Sequence, residues 1–169
     1  NQTKAATLAI ADFEGPVYLR FGRPVVPVFI PEDMPFEIGK GILLQEGTDV
    51  TIVATGHLVW ESLLAAEELE KEGISCEIIN IHTIKPLDEE IILKSVEKTG
   101  KIVTAEEHNI LGGLGESVAG VLARKRPTPQ EFVAVNDTFG ESGTPAELIH
   151  KYKIDSFAVK AAVKKILGK

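Results

Sequence analysis

The sequence predicts an α/β fold of three layers, a mostly parallel sheet with helices on both faces, and two observations carry that expectation. From residue 41 to the C-terminus, short apolar runs alternate with longer stretches of helical periodicity, and the short runs are apolar throughout. A strand that is half exposed alternates apolar with polar residues; a strand covered by helices on both faces does not, and that is the situation inside a parallel sheet.

The elements follow in order. Residues 3–11 are alanine-rich and apolar, which suits a helix, and Glu14-Gly15-Pro16 breaks it. Residues 17–21 then predict a short strand. One helix and one strand cannot bury their own apolar faces, so residues 1–22 are expected to be the remnant of another domain. The chain starts at Asn1, in what looks like a helix interior, and is expected to be a fragment. Pro24, Pro27, Pro31 and Pro35 mark residues 23–35 as an extended, semi-rigid linker.

The main domain, residues 36–169, opens with strands at 41–45 and 50–54. A helix over 58–71 follows, with Val59, Leu63, Ala66 and Leu69 at helical spacing and Gly73 ending it in a left-handed conformation. Next come a strand at 76–81, a helix at 88–98, a strand at 101–105, a helix at 115–124 and a strand at 132–135. Helices at 145–153 and 156–166 close the chain. No internal repeat or low-complexity tract interrupts this order.

With 169 residues, 44% of them hydrophobic, the chain can bury one sizeable core. Its net charge of −7 comes from acidic residues spread along the whole length, a solvated surface that excludes nucleic acid and anionic membranes as partners. Cys76 lies in the apolar run Ile74-Ser-Cys-Glu-Ile-Ile79 with no basic neighbour, so it reads as a small buried hydrophobe and not as a nucleophile. Nothing resembles a signal peptide or a membrane span, and a cytoplasmic location is expected.

Ligands in open α/β sheets gather outside the carboxyl ends of the strands, which directs attention to three loops. These are Thr55-Gly56-His57, the stretch from His82 to Asp88, and Glu106-Glu107-His108-Asn109 with the following Gly112-Gly113-Leu114-Gly115. The glycine run ahead of a helix offers backbone amides to an anion. Its spacing matches no phosphate-binding fingerprint, no lysine follows, and Glu106, Glu107 and Glu116 would repel an anion, so close backbone packing explains it better. His57, His82, His108 and Glu107 are candidates for an interface or a cleft; they lack metal-ligand spacing, and no metal site is expected. Glu106 and Glu107 are neighbours on a strand end, point to opposite faces and cannot share one site. Arg20 and Arg23 flank Phe21-Gly22 where the first strand meets the linker, and arginine forks suit a phosphate.

Taken together, Gly15-Pro-Val-Tyr-Leu-Arg-Phe-Gly-Arg-Pro24, Thr83-Ile-Lys-Pro-Leu-Asp88, Thr104-Ala-Glu-Glu-His108, Gly112-Gly-Leu-Gly-Glu116 and Gly140-Glu-Ser-Gly-Thr-Pro-Ala-Glu-Leu148 resemble transketolase over essentially the whole chain. The resemblance implies that residues 1–22 are the last helix and strand of the family's pyrimidine-binding domain and that residues 36–169 are its C-terminal domain. It also implies a homodimeric or split enzyme that moves a two-carbon ketol unit between sugar phosphates with thiamine diphosphate and Mg2+. The family's cofactor-binding motifs match no segment of this sequence, so the resemblance makes this chain a structural and dimerising part, inactive alone, that works with an N-terminal transketolase subunit or domain.

Of the family's functional residues, Arg23 matches the arginine before proline that contacts substrate phosphate, and Arg20 lies in the same motif. The loops holding His82 and His108 become interface candidates, where a histidine would titrate near neutral pH. Synthases of deoxyxylulose phosphate and the β-subunits of 2-oxoacid dehydrogenases share the I/V-K-P-L-D loop. The synthases carry an arginine where this chain has His82, and the segment from Phe139 to Glu147 is closer to transketolase. A reading from a different class stays open on the residues alone: a stand-alone dimerisation or regulatory module that binds an anion at Gly112 to Gly115. The two differ in whether residues 1–22 leave an apolar face uncovered.

Overall fold

The computed structural model describes residues 1–22 and 25–169. Helix α1 spans Gln2–Ala11 and is followed, after a long irregular stretch, by β1 (Ile42–Gln45), β2 (Val50–Ala54), α2 (Leu58–Lys71), β3 (Cys76–Asn80), α3 (Glu89–Thr99), β4 (Ile102–Asn109), α4 (Leu114–Lys125), β5 (Gln130–Val135), α5 (Pro145–Lys151) and α6 (Ser156–Leu167). The five strands form one sheet in the order β1-β3-β2-β4-β5, in which only β1 runs antiparallel to its neighbour. The expected three-layer α/β architecture is the one found.

Continuous apolar strands explain the layers. Ile52, Ile78 and Val103 face one side with α2 and α6, where Leu58, Leu69, Val159 and Val163 join them. Val53, Ile79 and Ile102, one residue away along the same strands, face the other side with Ile92 and Val96 of α3 and Leu114, Val118 and Leu122 of α4. The two-residue period of a strand thus feeds two cores at once. The buried hydroxyl of Thr51 hydrogen-bonds to Ser95 (2.6 Å) and Thr99 (2.7 Å) of α3, so its polarity costs little. Cys76 is buried in the first core, and burial pushes its thiol up to about 12, which makes it inert.

Helix ends are capped as their residues dictate. Asp88 caps α3 by accepting from the Ile91 amide (3.3 Å) and also holds the Gly41 amide (2.8 Å), tying α3 to the start of β1. Thr144 and Glu147 form a reciprocal capping box on α5 with Pro145 in the first turn. Gly73 takes the expected left-handed conformation (φ +74°) after α2.

Two elements depart from expectation. Residues 17–21 belong to no strand ladder and are mostly exposed, because a strand needs a partner edge and the described residues offer none there. Strand β4 runs four residues beyond the expected end, to Asn109: after a register shift between Ala105 and Asn109, Asn109 pairs with Val135 and the Ile110 amide donates to the Val135 carbonyl (2.9 Å). The extension carries Glu106, Glu107 and His108 on the strand itself. Within residues 25–36, Phe29 stacks on Trp60 of α2 (ring centroids 5.6 Å apart), Ile30 is buried, and Asn1 Nδ2 donates to the Ile30 carbonyl (2.8 Å).

The turn between β1 and β2 has no room for a side chain at Gly47, where a Cβ would lie 2.1 Å from the Cys76 carbonyl carbon and 2.2 Å from the Glu77 amide nitrogen. Backbone must move to admit it, so Gly47→Ala is expected to cost at least about 2 kcal/mol, read as a lowered urea midpoint with unchanged slope.

Candidate functional site

Strands β2 and β4 are parallel neighbours, yet the helices that follow them leave in opposite directions, α2 over one face and α4 over the other. Where crossovers diverge in this way, ligands of open α/β sheets gather in the crevice outside the carboxyl ends of the two strands. Here that place lies between Thr55-Gly56-His57 and the end of β4.

Strand alternation sends Glu106 and Glu107 to opposite sides of that edge, as the sequence predicts. Glu106 is 3% exposed, and its two carboxylate oxygens accept from the amides of Leu114 and Gly115, both at 2.8 Å. Glu116 accepts from the Gly112 amide at 2.7 Å. The amides that an external anion would need at the start of α4 therefore already hold the chain's own carboxylates. This overturns the anion-binding module at Gly112 to Gly115. The close-packing reading of the glycines stands: a Cβ at Gly113 would lie 2.1 Å from Glu106 Oε2, and one at Gly115 would lie 2.5 Å from the Phe132 ring.

On the other side of the edge, Glu107 Oε1 accepts from Arg20 Nη1 at 3.0 Å. Gly56, in a left-handed conformation (φ +60°), leaves open the space beside Glu107, whose Oε1 lies 3.6 Å from where a Cβ would stand. Next to it, His57 Nε2 sits 3.4 Å from Glu61 Oε1, and Glu61 Oε2 accepts from the Ser156 amide (2.7 Å) at the start of α6. The Glu61 carboxylate raises the His57 pKa above its ordinary 6.5 against the opposing effect of burial, with Glu107 adding a smaller pull. His57 in turn lowers Glu61 below its ordinary 4.5, helped by the Ser156 amide.

The other sequence candidates lie elsewhere. His82, beyond the end of β3, stacks on Phe36 (ring centroids 4.3 Å apart) and shares a hydrogen bond with the Thr83 hydroxyl (2.9 Å); burial lowers its pKa. His108 is exposed. Arg23, the first of the expected phosphate ligands, lies outside the described residues. The structure thus brings together Arg20, Glu107 and His57 and leaves His82 and His108 out. Sequence reasoning missed Glu61, although its four-residue spacing from His57 on one helix was the available signal. It also missed Glu106 as the internal anion for α4, which a carboxylate shortly before a glycine-rich helix start could have indicated.

Among the described residues no group of three or more His, Cys, Asp or Glu side chains is placed to hold a metal ion. A diphosphate does not fit the start of α4 either, because Glu106 takes those amides. No described helix is long and apolar enough to cross a membrane.

The chain matches the family model for the transketolase C-terminal domain over residues 39–159. It is 45% identical to a 6-deoxy-6-sulfo-D-fructose transketolase subunit from Clostridium sp. (strain MSTE9), over 98% of this chain and 51% of that protein. It is 37% identical to an apulose-4-phosphate transketolase subunit of Phocaeicola vulgatus, over 92% of this chain and 50% of that protein. A solved structure described as a split gene transketolase in an inactive beta4 tetramer superposes with a TM-score of 0.92 at 48% identity, covering 97% of this chain and 55% of that one. The chain belongs to the transketolase family and carries its C-terminal domain. It spans about half the length of these curated relatives.

Two outcomes are expected from this geometry. Glu106→Gln supplies one acceptor where two amides need one each and turns an NH2 group toward the other, so it should cost about 3 kcal/mol of stability by urea unfolding. For the His57–Glu61 pair, the share linked to Glu61 is lost as pH falls through its lowered pKa. The share linked to His57 is complete below its ordinary value and is lost as pH rises through its raised one. His57→Gln should therefore cost most between the two ordinary values, 4.5 for Glu61 and 6.5 for His57, on the order of 0.5 kcal/mol after allowance for solvent screening, and progressively less as pH rises through the raised His57 pKa. A cost that does not vary with pH would refute the charge pairing.

Proposed function

We propose that this chain is the C-terminal part of a thiamine-diphosphate-dependent transketolase, which transfers a two-carbon ketol unit between sugar phosphates in carbohydrate metabolism. The cofactor and its Mg2+ belong to an N-terminal transketolase subunit or domain, and this chain alone is inactive and dimerises with a second copy of itself. When bound, thiamine diphosphate stabilises the carbanion that carries the two-carbon unit. This chain's share is to present arginines to the substrate phosphate and to build the assembly.

The observation that carries the reading is the apolar face of the N-terminal segment. Leu8, Phe13, Val17, Tyr18 and Phe21 are all exposed, Tyr18 to 87%, beside a domain whose own two cores are filled. Isolated exposed apolar residues are ordinary, but a run of them along one short segment marks a surface that another polypeptide covers. The subunit names of the relatives support a two-part enzyme, and the description of the superposed structure supports inactivity of the isolated part. Arg20 and Arg23 adjoin this segment, where a phosphate held between two parts of an enzyme would meet their guanidinium groups.

The test is two-carbon transfer from a ketose phosphate to an aldose phosphate, measured with the chain alone, with an N-terminal transketolase partner alone and with both. Activity is expected only in the mixture, and Arg23→Ala should raise KM for the phosphorylated substrates about tenfold or more. Tight binding of a sugar phosphate by the chain alone, as a monomer, would overturn the reading.

A further inference from the structure

We infer that Glu107 is a positioning residue for Arg20: it seats the arginine at the crevice between β2 and β4 and so orients the phosphate-facing edge of the N-terminal segment. The inference rests on the proposed role of that segment in a transketolase assembly.

Three features of the crevice support it. First, the contact is long-range, joining residue 20 to residue 107, and is the one hydrogen bond that Arg20 makes among the described residues. Residues 12–22 are otherwise almost wholly exposed and belong to no strand or helix, so this ion pair is what fixes their course over the main domain. Second, Glu107 sits on β4, where the register against β5 shifts between Ala105 and Asn109, and its side chain is mostly buried, at 22% exposure, beside a left-handed glycine that leaves the space next to it open. A carboxylate set into a rigid sheet end is a fixed anchor, whereas a loop carboxylate would move with its partner.

Third, the geometry is end-on. A guanidinium has five N–H donors, and the pair with Glu107 uses Nη1 alone. The remaining donors stay available for a bidentate grip on a phosphate, and the Arg20 side chain keeps 48% of its surface exposed for that contact. A carboxylate beside an anion-binding arginine acts in one of two opposing ways. It holds the fork in place and aids binding, or it neutralises the fork and competes with the anion. A single end-on bond from an anchored carboxylate favours the first.

Glu107→Gln decides between them, because the amide keeps the shape and removes the charge. In the full chain, backbone 15N order parameters of residues 17–22 should fall in the variant. In the assembly with its thiamine-diphosphate partner, KM for a phosphorylated aldose should rise about fivefold, more than KM for an unphosphorylated aldehyde, with the change in KM and not in kcat. Arg20→Lys provides the second variant: it keeps the charge pair and the order parameters while losing the fork, so it should raise the same KM.

Unchanged order parameters in Glu107→Gln would overturn the positioning role whatever the kinetics. Lowered order parameters with an unchanged or lowered KM would overturn it as well, by making Glu107 a competitor of the phosphate. A wild-type assembly that shows no dependence on the substrate phosphate would instead contradict the transketolase reading, and the order parameters would still judge the clasp.

Discussion

The buried carboxylate of Glu106 organises the carboxyl edge of the sheet. By accepting from the first amides of α4, it fixes where that helix starts, and with it the glycines that must lie against the carboxylate. Strand alternation then turns Glu107 to the opposite side, toward Gly56, His57 and Arg20. Two adjacent glutamates thus do different work: one is spent inside the domain as a helix anchor, the other faces the crevice and reaches the N-terminal segment. A structural anion at the helix start also explains why the glycine-rich turn, in a familiar place for phosphate binding, has the amides of Gly112, Leu114 and Gly115 already bound to the chain's own carboxylates.

Much of this was legible in the sequence. Strands covered on both faces must be apolar at nearly every position, so residues 50–54 and 76–81 declared a parallel sheet, and Gly73 declared the end of α2. The opposite facing of Glu106 and Glu107 followed from the strand period alone. What failed was the end of β4, where two glutamates and a histidine resemble a loop; their polarity is tolerated on a strand because Glu106 is satisfied by amides eight and nine residues later. The pattern at residues 17–21 is strand-like, but a pattern cannot supply the neighbouring edge that a ladder requires. Convergence of Arg20 on Glu107 was invisible for a similar reason, since 87 residues separate them.

The distribution of apolar surface divides the chain physically. Residues 36–169 bury most of their hydrophobic side chains in two cores, with Leu43, Ile84, Leu111, Phe139 and Phe157 exposed, while the described residues from 8 to 28 expose most of theirs. Free energy from burial is therefore still to be gained along the N-terminal segment, at roughly 25 cal/mol for each Å² removed from water, and the proposed assembly would gain it. Membership of the transketolase family and the half-length match to its subunits agree with that imbalance. Arg20 stands where the uncovered segment meets the finished domain, the place at which assembly and substrate contact would be coupled.

If the exposed run Phe13, Val17, Tyr18 and Phe21 is an assembly surface, as proposed, light scattering on the full chain and on Tyr18→Asp will show it. The expected wild-type mass is a multiple of 18.3 kDa, with a shift toward the monomer when a charge is placed in that run. A wild-type chain that stays monomeric across concentration, and that also stays monomeric when a thiamine-diphosphate transketolase partner is added, would contradict it.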